Sequence, residues 1–270
     1  MNYIQITIKA TQEQQEILIS KLSLYAATGF EQNEENVIAY FVENNFDSYD
    51  INNLLKGYTY DINTIKEKNW NEVWESNFQP VIINDFCAIR ADFHPTINNV
   101  MHEIIITPKM SFGTGHHATT HMMIEQMSEL NFKNKTVFDF GTGTGILAIL
   151  AEKLDAASIT AIDNDEWSIE NTKENSIRNN CSKINVALSE TIPVITYDII
   201  LANINKNVIL QNIEAIKKSC KMETYVLLSG LLTEDESEVG NLFEQNNFVF
   251  VNKKEKSNWI SILFSFNTQI

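Results

Sequence analysis

Val137-Phe138-Asp139-Phe140-Gly141-Thr142-Gly143-Thr144-Gly145-Ile146-Leu147 decides how this chain is read. An apolar strand ends on an acid, turns through three alternating glycines and opens into a helix. Glycine has no Cβ, so the backbone at such a turn can approach a ligand closely. The helix start behind it offers unpaired N–H groups. The next apolar stretch, Ala157–Ile162, ends on Asp163, whose carboxylate can accept hydrogen bonds from ribose hydroxyls. The combination describes a pocket for an adenosine-containing cofactor.

The glycine spacing narrows the choice. A dinucleotide fingerprint, G-x-G-x-x-G, requires its third glycine where Ile146 stands, whereas Gly145 comes one residue early. The Gly-Lys-Ser/Thr ending of a phosphate-gripping loop is absent, and no basic residue stands in the turn. Asp139 is expected to repel a pyrophosphate and to suit a cationic ligand such as an ammonium or a sulfonium. The acid-x-G-x-G-x-G pattern resembles the cofactor loop of S-adenosylmethionine-dependent methyltransferases. The rival reading is a glycine-rich strand–helix turn that holds no ligand.

Composition sets outer limits. The chain has 270 residues, 44% hydrophobic and 20% charged, enough for one large or two smaller domains with real cores. No run approaches the ~18 apolar residues of a membrane span, and the start alternates like a strand rather than a signal peptide. Cys87, Cys181 and Cys220 are few, scattered and odd in number, which fits a reduced, cytoplasmic protein with thiols in its core. The net charge of −15 disfavours nucleic acid and favours a basic partner, although solubility is the plainer reason for such a surface.

The first ~65 residues read as a small α/β unit. Residues 3–9 alternate as a strand. Residues 12–27 form a helix with Ile17, Leu18, Leu22, Leu24 and Tyr25 on its apolar face, Thr11 as cap and Gly29 as stop. Strands at 37–42 and 58–62 flank a short helix at 49–55. The order approaches a split βαβ, ferredoxin-like module. Lys9, Lys21 and Lys56 face nine carboxylates there, a net −6 that points to protein rather than RNA as its partner. Residues 68–80 follow as a short helix ended by Pro80, with Trp70 and Trp74 on one face. The expected division is a recognition domain at 1–65, a linker helix at 66–80 and a catalytic domain at 81–270.

From 136 onward strand and helix alternate: strands at 136–140, 157–162, 184–188, 197–202 and 223–229, helices at 144–154, 166–179, 206–218 and 233–245. Such alternation predicts a doubly wound, mostly parallel sheet. Two closing strands, 248–254 and 258–265, are joined by a polar turn at 252–256 and must form an antiparallel hairpin at the sheet edge.

Two further stretches bear on chemistry. Phe112-Gly113-Thr114-Gly115-His116-His117-Ala118-Thr119-Thr120 allows a tight loop before a helix with Met122, Met123, Ile124 and Met127 inward, and either threonine can cap that helix or bond a ligand. His117, His121 and Glu125 are spaced as a possible metal set, but no H-E-x-x-H motif or Cys/His cluster accompanies them, so no metal is expected. Tyr197–Ala202 ends on Asn203 at the carboxyl edge of the sheet. Its amide oxygen can accept a hydrogen bond from an amine, or the residue can cap the next helix.

These stretches together resemble one family, the ribosomal protein L-eleven methyltransferases of bacteria (PrmA). Phe112-Gly113-Thr114-Gly115 with His117 and Thr119-Thr120 is similar to its loop signature, Asp139 to Ile149 to its cofactor loop, Ala202-Asn203-Ile204 to its post-strand motif and Ser229-Gly230-Leu231-Leu232 to a later strand. His116 and Ala118 depart from a usual threonine and proline. The resemblance implies a seven-stranded Rossmann-like catalytic domain behind the ferredoxin-like module. It implies that Thr120, Gly141, Asp163 and Asn203 bind S-adenosylmethionine, with Gly143 and Phe112 also at the cofactor and Asn203 catalytic. It further implies methylation of amino groups, lysine side chains and the N-terminal amine, on a basic large-subunit ribosomal protein. No direct nucleic-acid or membrane contact is expected, and the chain is read as a monomer. Another protein lysine or a small amine as target, a non-enzymatic assembly factor and a nicotinamide oxidoreductase are the alternatives.

Overall fold

The computed structural model describes residues 2–23, 25, 27–33, 35–65, 78–107 and 113–267, and the chain divides into two compact units, Met1–Asn77 and Phe78–Ile270. Most of the expected linker helix, with Trp70 and Trp74, lies outside the described residues, as does Leu24.

The first unit runs β1 (Tyr3–Lys9), α1 (Gln12–Ser23), β2 (Gly29–Gln32), β3 (Asn36–Val42), α2 (Ser48–Leu54) and β4 (Thr59–Ile65). Alternation drives β1 and β3: Ile4, Ile6 and Ile8 pair in register with Phe41, Ala39 and Val37 and bury one face. Leu18 and Leu22 of α1 and Ile51 of α2 close over that face. Asp47 caps α2, its carboxylate accepting from the N–H groups of Tyr49 and Asp50. The antiparallel order β2-β3-β1-β4 is that of a ferredoxin-like module. Three local expectations fail. The first helix ends at Ser23 rather than 27, Ile17 and Tyr25 are exposed, and Gly29 opens β2 instead of stopping a helix. β2 is a four-residue edge strand, Gly-Phe-Glu-Gln, too short and polar to show a period.

The second unit begins with a small sheet, β5 (Val81–Ile83), β6 (Cys87–Ala91) and β7 (His102–Ile106). After α3 (Ala118–Met127) come β8 (Thr136–Phe140), α4 (Ile146–Lys153), β9 (Ser158–Asp163), α5 (Glu166–Arg178), β10 (Ile184–Leu188) and β11 (Tyr197–Asn203). There follow α6 (Lys206–Gln211), α7 (Ile213–Lys218), β12 (Cys220–Leu232), α8 (Glu236–Gln245), β13 (Phe248–Lys256) and β14 (Trp259–Phe266). The seven-stranded order is β10-β9-β8-β11-β12-β14-β13. The first five are parallel, and β14 is antiparallel to both its neighbours. This is the expected Rossmann-like sheet with its closing hairpin.

Central strands β8 and β11 are buried along nearly their whole length, as strands covered on both faces must be. Val137, Ile199 and Leu201 pack with α3 and α4 on one face. Phe138, Phe140, Ile200 and Ala202 pack with Ile209, Ile216, Val239 and Phe243 on the other. Strand order reverses between β8 and β11, so their carboxyl ends frame a crevice.

Two boundaries differ from expectation here. The polar stretch 252–256 is strand, and the hairpin turns at Ser257-Asn258, with φ of 51° and 67°. Two residues at positive φ make a type I′ turn, whose twist matches the flanking strands. The expected helix at 206–218 breaks into α6 and α7 at Asn212, whose φ of −103° and ψ of 9° leave the helical region while its N–H and side chain both donate to the Val208 carbonyl.

Candidate active site

The three glycines of the turn have φ of 77° (Gly141), 55° (Gly143) and 82° (Gly145), a region side chains disfavour. A Cβ on Gly141 would stand 2.3 Å from Ile204 Cγ2, so the turn also needs hydrogen in that place. The N–H groups of Gly141 and Thr142 both donate to the Ile162 carbonyl, tying the turn to the neighbouring strand. Gly143 N–H donates to Asp163 Oδ2 at 2.9 Å, and Asp165 N–H to Asp163 Oδ1 at 3.1 Å. Each Asp163 oxygen keeps a further lone pair for a ligand hydroxyl.

A cavity of about 690 Å³ lies over the carboxyl ends of these strands, lined among others by Phe140, Gly141, Gly143, Asp163, Asn203 and Trp259. The volume is that of a small-molecule site. Gly141 and Asn203 also line a small adjoining pocket with Thr120 and Gly113.

Asn203 is the last residue of β11 and only 9% exposed. Its Nδ2 donates to Thr120 Oγ1 at 3.2 Å, while its buried Oδ1 has no hydrogen-bond partner among the described residues. A buried amide oxygen without a donor is costly, which marks a place for one. The helix-capping alternative is overturned: Asn205, two residues on, caps α6 by accepting from Val208 N–H.

Asp139 differs from expectation. Its side chain is 1% exposed beneath the turn, with Thr142 Oγ1 donating to it at 2.8 Å, rather than at the rim of the cavity. Burial raises its pKa to about 7, partly offset by the Thr142 hydrogen bond, and the charge of Asp163 adds to the rise. Among the described residues, the carboxylates that line the cavity are Asp163 and Glu190.

The loop before α3 is corrected in the same way. The helix cap is His117, whose Nδ1 accepts from Thr119 N–H, and not either threonine. Thr119 and Thr120 are buried in the first turn. Ala118 takes the first helical position, where proline is also favoured. His116 packs edge-on against Phe78 at 4.8 Å. No group of three His, Cys, Asp or Glu among the described residues is arranged to hold a metal ion. Phe112 lies outside the described residues. Burial pushes the Cys87 and Cys220 thiols up to about 12, consistent with inert core residues.

Residues 4–267 match the sequence model of one family, Ribosomal protein L11 methyltransferase (PrmA). The chain belongs to this family. A ribosomal protein L11 methyltransferase from Porphyromonas gingivalis is 37% identical over 261 residues, covering 93% of this chain and 90% of that protein. One from Phocaeicola vulgatus is 33% identical over 278 residues, covering 98% of this chain and 99% of its own. Among solved structures, a ribosomal protein L11 methylase from Lactobacillus delbrueckii subsp. bulgaricus superposes with a TM-score of 0.66 at 25% identity, over 70% of this chain and all of that one. As a PrmA-family methyltransferase, the chain carries its expected Gly141, Gly143, Asp163 and Asn203 on one cavity, with Thr120 held against Asn203.

Several other residues at or behind the site carry no local signal in the sequence. Trp259 opens β14 and reaches the cavity, packing edge-on against His117 at 4.8 Å. Thr172 and Asn175 of α5 hold the carbonyls of Gly143 and Thr144 at 2.9 and 2.8 Å. Their signal was a run of polar residues facing inward on α5, visible only once the helix is docked.

Proposed function

We propose that this cavity binds S-adenosylmethionine and that the enzyme methylates amino groups of the basic ribosomal protein L-eleven, lysine side chains and the N-terminal amine. The observation that carries the reading is the buried, donorless Oδ1 of Asn203, a residue that lines the same cavity as Gly141 and Asp163. The groups present suit this cofactor. Asp163 keeps acceptor capacity for ribose hydroxyls, the turn offers bare backbone, and the lining carboxylates Asp163 and Glu190 favour a cation over a diphosphate.

When bound, S-adenosylmethionine supplies a methyl group already activated by its sulfonium, so the protein's task is placement. Thr120 Oγ1 holds the Asn203 amide by its nitrogen and leaves the oxygen as acceptor. That oxygen accepts a hydrogen bond from the target amine and orients its lone pair. The amine must be neutral to react, and with a pKa near ~10.4 roughly one lysine in 2,500 is so at pH 7. Desolvation beside Trp259 and Phe140 raises that fraction. No general base is assigned.

Residues 1–65, with their net −6, serve as the recognition module for the basic substrate protein. The test is mass spectrometry of purified ribosomal protein L-eleven after incubation with enzyme and S-adenosylmethionine. The expected result is mass gained in steps of one methyl, falling on the order of a hundredfold in rate for Asn203→Ala. An unchanged rate in that variant removes the role of Asn203.

A further inference from the structure

Helix α5 presents buried polar side chains toward the glycine turn, where a helix packed on a sheet ordinarily presents apolar ones. Thr172 and Asn175 are fully buried, and Asn179 just after the helix nearly so. Thr172 Oγ1 donates to the Gly143 carbonyl at 2.9 Å. Asn175 Nδ2 donates to the Thr144 carbonyl at 2.8 Å and to Asn171 Oδ1 at 3.1 Å, while its Oδ1 accepts from Thr107 N–H at 2.8 Å. Thr144 in turn donates its hydroxyl to the Gly113 carbonyl at 2.7 Å. Asn179 bonds the N–H (3.0 Å) and carbonyl (2.6 Å) of Ile105 and the backbone carbonyl of Asn175 (2.8 Å), with none to the turn.

We infer that Asn175 is a positioning residue for the cofactor, holding the peptide groups of the glycine turn in the one arrangement that receives it. The inference rests on the reading of the cavity given above. Thr144 lies between two glycines, whose torsions are the freest in the chain. A peptide is planar, so the Asn175 bond to the Thr144 carbonyl and the 2.8 Å bond from Gly145 N–H to the Thr142 carbonyl hold the two ends of one rigid unit. Without that anchor the turn samples other conformers, and apparent affinity falls by the fraction that remains competent. The same amide also holds Thr107, so the turn and β7's outgoing chain are fixed by one side chain.

The experiment is calorimetric titration of the full chain with S-adenosylhomocysteine, for the wild type, Asn175→Asp, Asn175→Ala and Asn179→Ala. Aspartate keeps the acceptor for Thr107 N–H and replaces the amide donor to Thr144. Alanine removes both bonds and serves where the aspartate does not fold. Both Asn175 variants are expected to bind about tenfold more weakly or worse. Their methyl transfer at saturating cofactor stays within about twofold of wild type, a change in KM without one in kcat. Asn179→Ala, which loses a similar set of buried bonds and a similar amount of thermal stability, keeps wild-type affinity. Equal affinity losses at 175 and 179, or none at 175, overturn the inference. Failure of the wild type to bind S-adenosylhomocysteine is a different result and overturns the cofactor reading itself.

Discussion

Gly230 and Gly29 differ in what they permit. A Cβ on Gly230 would stand 2.2 Å from the backbone oxygen of Ile204, and its φ is 84°. Gly29 has nothing within 4 Å and lies in ordinary strand conformation. Gly230→Ala is expected to destabilise by about 2 kcal/mol or more, because backbone cannot give way as a side chain can. Gly29→Ala is expected to be neutral or to stabilise by up to ~1 kcal/mol. Chemical denaturation of the two variants checks both. Asp139 makes a pH prediction. Its pKa rises from 3.8 unfolded to about 7 folded, so the folded state holds the proton more tightly. Its contribution to stability is therefore full below the unfolded value and is lost as pH rises through about 7. Asp139→Asn cannot ionise, so its stability relative to wild type should climb from about pH 4 to about pH 7 and level off above that. A difference in melting temperature that is flat over this range would contradict the assignment.

At the scale of elements, the strand–turn–helix at 136–147 and the strand ending on Asn203 were legible because each is a local pattern, complete within about a dozen residues. What escaped had partners far along the chain. Asn175 reads as one more polar residue in a polar helix until Thr107 and Thr144 are brought to it, and β2 has no period to read. The closing turn was misplaced because lysine-rich 252–256 looks like a loop, yet such residues suit an exposed edge strand that must not recruit another. The turn itself uses Ser257-Asn258 where Asn-Gly is the usual pair. Asn258→Gly, at φ 67°, should raise the melting temperature by a few degrees, as about 0.5–1 kcal/mol of left-handed strain is relieved. A lower melting temperature would mean that Asn258 contributes more than its backbone angle.

Over the whole molecule, the charge of −15 and the acidic first unit predict that substrate capture depends on ionic strength. KM for ribosomal protein L-eleven should rise several-fold between about 50 and 300 mM salt, with kcat nearly constant. KM for S-adenosylmethionine should move far less, since that contact is short-ranged. Steady-state kinetics at a few salt concentrations suffice, and an unchanged protein KM would remove the electrostatic role. Finally, the site wall at Trp259 belongs to the closing hairpin, whose second strand, β14, slots between β12 and the edge strand β13 that precedes it in the chain. During synthesis the glycine turn and Asn203 leave the ribosome well before their aromatic neighbour does. A nascent chain can thus expose the glycine turn and Asn203 before the wall at Trp259 exists, and the cavity is complete only once the hairpin has joined the sheet.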